Sequence, residues 1–299
     1  MRDYAEWKKP EKYETPEWDV EFLQDSVRDH EILHWDSWTE NVDANFTKVK
    51  SESDWIRSEY GKHEGPVIVC GAGPSLSRNS EWLKAQYDDG VPVIVVDRAF
   101  REVKRLGIKP LFVVSDDDQE IVQKFYCDFE ESDTAVLSLT THPEVHKRRT
   151  SVGTTKWFGS MIPISAFWNM AATHYGSDEM QQVRCGAVVG YSAVDIAIWC
   201  GFEPIITLGN ELSFKDKYEA FKYFNGATTK DTMLMTLEGQ NKDKLTIPAF
   251  YAAAQCFNRL LDQNPEVTLL DASDGIINWP KIQPMGLVRK ELHNGGSDN

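Results

Sequence analysis

The stretch Pro66-Val67-Ile68-Val69-Cys70-Gly71-Ala72-Gly73-Pro74-Ser75-Leu76 decides how the rest of the chain is read. Its first five residues are apolar at every position. That pattern predicts a strand buried on both faces, as in a parallel sheet covered by helices. Two glycines then predict a tight turn in which backbone N–H groups can approach a phosphate or sugar. Ser80-Glu81-Trp82-Leu83 predicts a capped helix start.

The same unit recurs downstream. Pro92-Val93-Ile94-Val95-Val96 reads as a second strand ending at Asp97. Arg98 to Leu106 reads as a helix, with Phe100, Val103 and Leu106 on one face and Gly107 as its stop. Pro110 to Val114 is a third strand, leading into Ser115-Asp116-Asp117-Asp118, and Ala135 to Leu139 a fourth. Tyr191 to Cys200 predicts a helix, Pro204 to Leu208 a strand, Pro248 to Leu261 an amphipathic helix and Val267 to Leu270 a last strand. Alternation of this kind predicts an α/β, Rossmann-like, doubly wound and mostly parallel sheet over residues 61–290. Ligands of such sheets bind beyond the carboxyl ends of the strands. That rule selects Gly71–Leu76, Asp97–Arg98 and Ser115–Asp118.

Residues 1–60 have a different composition. They hold 16 Asp plus Glu, 8 Lys plus Arg, and five of the ten tryptophans. A disordered acidic tail is poor in aromatics, so this helical N-terminal extension is expected as short helices packed on the body or on a protein partner. Residues 215–245 are polar with weak periodicity and are expected as an insertion or lid, and residues 291–299 as a disordered tail.

Composition removes several classes of function. The formal charge is −15, from 32 Lys plus Arg and 47 Asp plus Glu, which argues against a general nucleic-acid binder. Cys70, Cys127, Cys185, Cys200 and Cys256 form no CxxC pair. Neither a zinc ribbon nor a disulfide framework is expected, and a reducing cytoplasm is the simplest location. The chain is charged from its start and shows no signal-peptide core. No stretch approaches the ~20 residues of a membrane span, and the most apolar helix is interrupted by Asp195.

Four features could carry chemistry. Gly71-x-Gly73 lacks the third glycine of a dinucleotide fingerprint, having Leu76 there, and Pro74 removes an amide donor. Asp97 nevertheless stands at the distance from the turn where a ribose contact is made. A tight strand-to-helix turn explains the glycines equally. Asp116, Asp117 and Asp118 repel one another, which a solvated loop tolerates and Mg²⁺ favours. A helix N-terminus at Gln119 would welcome the same charge. His142 and His146 are spaced i, i+4, but Pro143 between them excludes HExxH and predicts an exposed loop. Gly190-Tyr191-Ser192 opens a helix, either as an anion-binding turn or with Ser192 as a simple N-cap.

Taken in order, these blocks resemble the MptE-like family, which includes archaeal 6-hydroxymethylpterin diphosphokinases and the central domain of bacterial motility-associated factors. Cys70-Gly-Ala-Gly-Pro-Ser-Leu76 looks like its GxGPSL signature. The resemblance continues through Val96-Asp97-Arg98-Ala99, Leu106 to Pro110, Val113 to Asp117, Gly190 to Ala193 with Gly201 to Pro204, Gly209 to Phe214, and Asp271 to Gly275. It implies a transferase with a nucleotide donor. Gly71, Gly73, Pro74, Ser75, Leu76, Gly190, Ser192, Asn210 and Glu211 would bind the nucleotide. Asp97, Asp116 and Asp117 would be catalytic, and Asp116, Asp117 and Asp118 would hold Mg²⁺. The diphosphokinase branch implies transfer of a diphosphate from ATP to a hydroxymethyl acceptor. The motility-factor branch, like bacterial sialyltransferases with a similar turn, implies transfer of a nine-carbon acidic sugar from a CMP-sugar to a glycan or protein acceptor, without need of a metal. A third reading is a non-catalytic Rossmann-like binding module with its Trp-rich N-terminus on a partner.

Overall fold

A computed structural model of the chain describes residues 17–49, 54–149, 153–161, 182–186, 188–215, 235–237, 244–273, 275–277 and 283–284. Strands β1 (Val67–Cys70), β2 (Val93–Val96), β3 (Phe112–Ser115), β4 (Thr134–Ser138), β5 (Thr154–Met161), β6 (Gln182–Arg184), β7 (Ile205–Leu208), β10 (Leu269–Asp271) and β11 (Gln283–Pro284) build one sheet in the order β11-β10-β7-β1-β2-β3-β4-β5-β6. Every described pairing in it is parallel. From β1 the chain first winds outward through β6, then returns to the other side of β1 with β7. The sheet is therefore doubly wound, and its order reverses between β1 and β7. A separate antiparallel pair, β8 (Met235–Leu237) and β9 (Lys244–Thr246), lies in the region expected as a lid; the rest of 216–243 and the tail 291–299 fall outside the described residues.

The central strands are buried at every position, as their largely β-branched and apolar sequences require. Helices supply the cover: α1 (Glu17–Phe46), α2 (Pro74–Arg78), α3 (Ser80–Asp88), α4 (Asp97–Arg105), α5 (Pro143–Arg149), α6 (Val189–Cys200) and α7 (Pro248–Gln263). α6 is buried almost throughout and packs across β1, β2, β3, β6 and β7. The one charge in it, Asp195, is held by Arg184 of β6, whose Nη1 lies 3.1 Å and backbone N–H 2.9 Å from the carboxylate. None of the described helices is long and apolar enough to cross a membrane.

Several expectations are corrected. Among the described residues of the N-terminal region, Glu17–Phe46 forms one helix of 30 residues where short helices were expected. No glycine or proline interrupts Glu17–Phe46, and tertiary contacts at Trp38 and Val42 stabilise its second half. The helix expected at Ser80 is α3, and a short additional helix, α2, precedes it from Pro74. Proline at its first position loses no helical hydrogen bond there, and the chain breaks only at Asn79 before α3. Pro143 likewise starts α5 instead of marking an exposed loop. His142 caps it, its Nδ1 accepting the Glu144 N–H at 3.3 Å, and the His146 ring packs on Trp157.

Candidate functional site

The carboxyl ends of β1 and β7 lie side by side at the point where the strand order reverses, and the turns after them interlock. Gly71 N–H donates to Leu208 O at 2.7 Å and Gly73 N–H to Gly209 O at 2.8 Å. Gly209 N–H donates to Ser75 Oγ at 2.8 Å, and Ser75 N–H donates to the Glu211 carboxylate. A β-carbon on Gly71 would strike Gly209 O and Asn210; one on Gly73 would overlap Glu211 Oε2; one on Gly190 would overlap Asn210 Oδ1. The glycines are thus needed so that two backbone segments and two side chains can share a narrow space.

This changes the reading of the turn. The amides of Gly71, Gly73 and Ser75, expected to face phosphate, are taken by acceptors of the chain itself. Glu211, only 6% exposed, supplies an internal anion beside Ser75, with the exposed Arg78 at 3.6 Å from its Oε1. Its Oε2 is buried and has no hydrogen-bond partner among the described residues. Leu76 is a core side chain, and Pro74 is the first helical residue of α2. Asn210 is anchored by Ser273, whose hydroxyl accepts the Asn210 N–H at 2.9 Å.

The carboxylates of the neighbouring strands do not converge. Asp97 opens α4 and is buried, with one oxygen accepting the Ser115 hydroxyl at 2.5 Å and the other the Arg98 N–H at 2.5 Å. The Ser115 bond links the ends of β2 and β3. Asp116 is half-buried and accepts the hydroxyl of Ser192 from α6. Ser192 therefore does not cap its helix; Val188 holds the N-cap position, and Ser192 reaches the acidic loop from within α6. Asp117 is half-buried and accepts the Gln119 N–H at 2.9 Å. Asp118 turns away and is enclosed by α1, where His34 Nδ1 lies at 2.7 Å and Ser37 donates its hydroxyl.

Burial dominates the acid–base behaviour of these groups. It pushes Asp97 up to about 7, with the negative charge of Asp117 adding to the effect and the Ser115 hydrogen bond opposing it. It pushes Asp116 up to about 6 against the Ser192 hydrogen bond, and raises Asp117 as well. Asp271, beside Thr207 and Ser273, is likewise pushed by burial up to about 6.

A Mg²⁺ ion held by all three of Asp116, Asp117 and Asp118 does not fit. Asp118 is committed to α1, and among the described residues no three His, Cys, Asp or Glu side chains gather as a metal ion requires. A Mg²⁺ ion that takes one or two carboxylates and draws its remaining ligands from phosphate and water does fit Asp116 and Asp117, whose charges repel each other.

Sequence reasoning missed several contributors. Ser138 at the end of β4, Thr140 just beyond it and Ser160 near the end of β5 form a buried hydroxyl cluster, and Cys185 sits beside Ser192 at 3.4 Å. Their signal was available as small polar residues at strand ends. His34, Ser37, Asn41 and Asn45 were missed entirely, because nothing local distinguishes them from a solvated helix face.

The family described as 6-hydroxymethylpterin diphosphokinase MptE-like matches residues 37–217. No curated protein matches the chain. Among solved structures, the MAf glycosyltransferase from Magnetospirillum magneticum AMB-1 superposes with a TM-score of 0.61 at 17% identity, over 79% of this chain and 38% of that one. This chain spans well under half of that protein's length, and the likeness is one of fold.

Proposed function

Because the chain belongs to the MptE-like family, we propose that it is a nucleotide-dependent transferase that moves a diphosphate from ATP to a hydroxymethyl group of a pterin-like acceptor. One observation carries this reading. In the loop after β3, burial pushes Asp116 up to about 6, and Ser192 orients its carboxyl from a different element, α6. A carboxyl near the working pH is the group that general-base removal of an alcohol proton needs.

In this reading Asp116 receives the proton of the acceptor hydroxyl. The acceptor oxygen bonds to the β-phosphorus of ATP, the bond from that phosphorus to the oxygen of AMP breaks, and AMP leaves. Asp117, with Asp116 beside it, would hold Mg²⁺, which when bound neutralises phosphate charge. The Asp97–Ser115 link holds the ends of β2 and β3 in register beneath them. Asn210 and Glu211 shape the crevice between β1 and β7. With Glu211 already occupying the turn, the phosphates lie on the Asp116 side of that crevice rather than in the glycine turn.

A second reading, transfer of a nonulosonic-type sugar from a CMP-sugar, draws support from the dispersal of the carboxylates, since such a reaction needs no protein-built metal cage. The deciding experiment is thermal unfolding with ATP, AMP, CTP and CMP, each with and without Mg²⁺. A ligand at 100 times its Kd adds about 2.7 kcal/mol. Stabilisation by ATP that requires Mg²⁺ is the expected result. Stabilisation by CMP that ignores Mg²⁺ transfers the assignment to sugar transfer. No shift with any nucleotide leaves a binding module.

A further inference from the structure

We infer that the N-terminal helix α1 is a working part of the site, with His34, Asn41 and Asn45 as positioning residues for the acidic loop after β3. The inference rests on the reading of Asp116 and Asp117 as the reacting centre. The four polar residues His34, Ser37, Asn41 and Asn45 recur at helical spacing and so share one face of α1. All four are directed at two loops. His34 Nδ1 and the Ser37 hydroxyl meet the Asp118 carboxylate, the first at 2.7 Å. Asn41 Nδ2 lies 3.4 Å from Asp118 O and 2.9 Å from Thr140 O, bridging the loop after β3 to the loop after β4. Asn45 Nδ2 lies 3.0 Å from Leu139 O and 2.6 Å from Thr141 O, bracketing the second loop. The second loop in turn holds the first, through Thr141 Oγ1 on Ser115 O at 3.0 Å and His142 N–H on Asp117 O at 3.3 Å.

The carbonyls involved lie beyond the last residues of β3 and β4, where the sheet ladder no longer pairs them. A helix bound only by apolar packing would leave them to water. Here Asn41 and Asn45 are 5% and 1% exposed and serve as their donors, while Trp38 and Val42 anchor the same turns in the core. Two buried asparagines and a histidine set against the loop that carries Asp116 and Asp117 are a poor way to stabilise a helix, because each buried polar group must find its partner to avoid a penalty. They are a good way to set where a loop lies. The arrangement makes the loop's position depend on α1, and with it the spacing of Asp117 from Asp116.

The test uses the full chain as wild type and as His34→Ala, His34→Asn, Asn41→Ala and Asn45→Ala. Asparagine at position 34 keeps a donor where Nδ1 stands. Amide hydrogen exchange is read at Gln119 and at 139–142, with Val67–Cys70 as the remote reference. Loss of one donor is expected to speed exchange in the two loops by about tenfold, with the β1 amides unchanged, and His34→Asn is expected to lie near wild type. Affinity for Mg-ATP, or for CMP, is expected to fall by a similar factor in His34→Ala and Asn41→Ala and to recover in His34→Asn. Unchanged loop exchange, or an equal rise in β1, overturns the inference and makes α1 a packing element. If neither nucleotide binds the wild type, the functional reading fails, while the exchange pattern still decides whether α1 positions the loop.

Discussion

The carboxylate of Glu211 lies against the α-carbon of Gly73, in the space a β-carbon would fill. Ser75 N–H donates to the same carboxylate, so the turn after β1 and the turn after β7 are fitted to each other. Gly73→Ala forces them apart, and overpacking of this kind costs about 1–3 kcal/mol. Urea unfolding should show a lower midpoint. An unchanged midpoint would mean that Glu211 has another place to go.

The buried carboxyls give stability a particular dependence on pH. Burial raises Asp97 to about 7 and Asp116 to about 6 in the folded chain, well above the unfolded carboxylate value. Between pH ~4 and ~7 the folded state therefore binds more protons than the unfolded state, and these groups lose stability as pH rises. Asp97→Asn removes one of them. The difference in unfolding midpoint between Asp97→Asn and wild type should grow in favour of the variant from pH 5 to pH 8; a difference independent of pH would show that Asp97 stays charged throughout.

Neutralising the acidic loop one residue at a time separates chemistry from architecture. Under the proposed reaction, Asp116→Asn should lower turnover by about 10²–10⁴-fold with little change in the unfolding midpoint, the scale of a lost general base. Asp118→Asn should loosen the acidic loop and cost only about the tenfold expected for His34→Ala, because its carboxylate is what His34 and Ser37 hold. Equal kinetic losses in the two variants would argue against Asp116 as base.

Asp195 and Arg184 form a charge pair buried beneath α6. Asp195→Asn leaves the guanidinium without its counter-charge, and breaking such a pair costs about 3–5 kcal/mol. Calorimetry should show a large fall in Tm. The double change of Arg184 and Asp195 to apolar residues of similar volume should recover much of it.

Much of the frame was legible in advance. Val67–Cys70, Val93–Val96 and Ile205–Leu208 announce buried parallel strands by their unbroken apolar runs. Asp97, Asp116 and Gly209–Glu211 were locatable as the residues immediately after β2, β3 and β7. The roles within the site were less legible. Ser192 reads as a helix cap until its hydroxyl is seen on Asp116, and Asp118 reads as a metal ligand until α1 covers it. Pro143 was read as marking a loop, whereas proline ends a helix from within but starts one at its first position, as it does in α5.

The sequence by itself determined the α/β class, the parallel order of its strands and the family, because these rest on short-range periodicity and on blocks of adjacent residues. Only the tertiary structure decided what fills the glycine turn and what holds the acidic loop. Ser75 and Glu211 are 136 positions apart and Asn45 and Thr141 are 96 apart. Contacts of that separation depend on which strand ends lie side by side after the sheet has closed. No local pattern of residues carries that information.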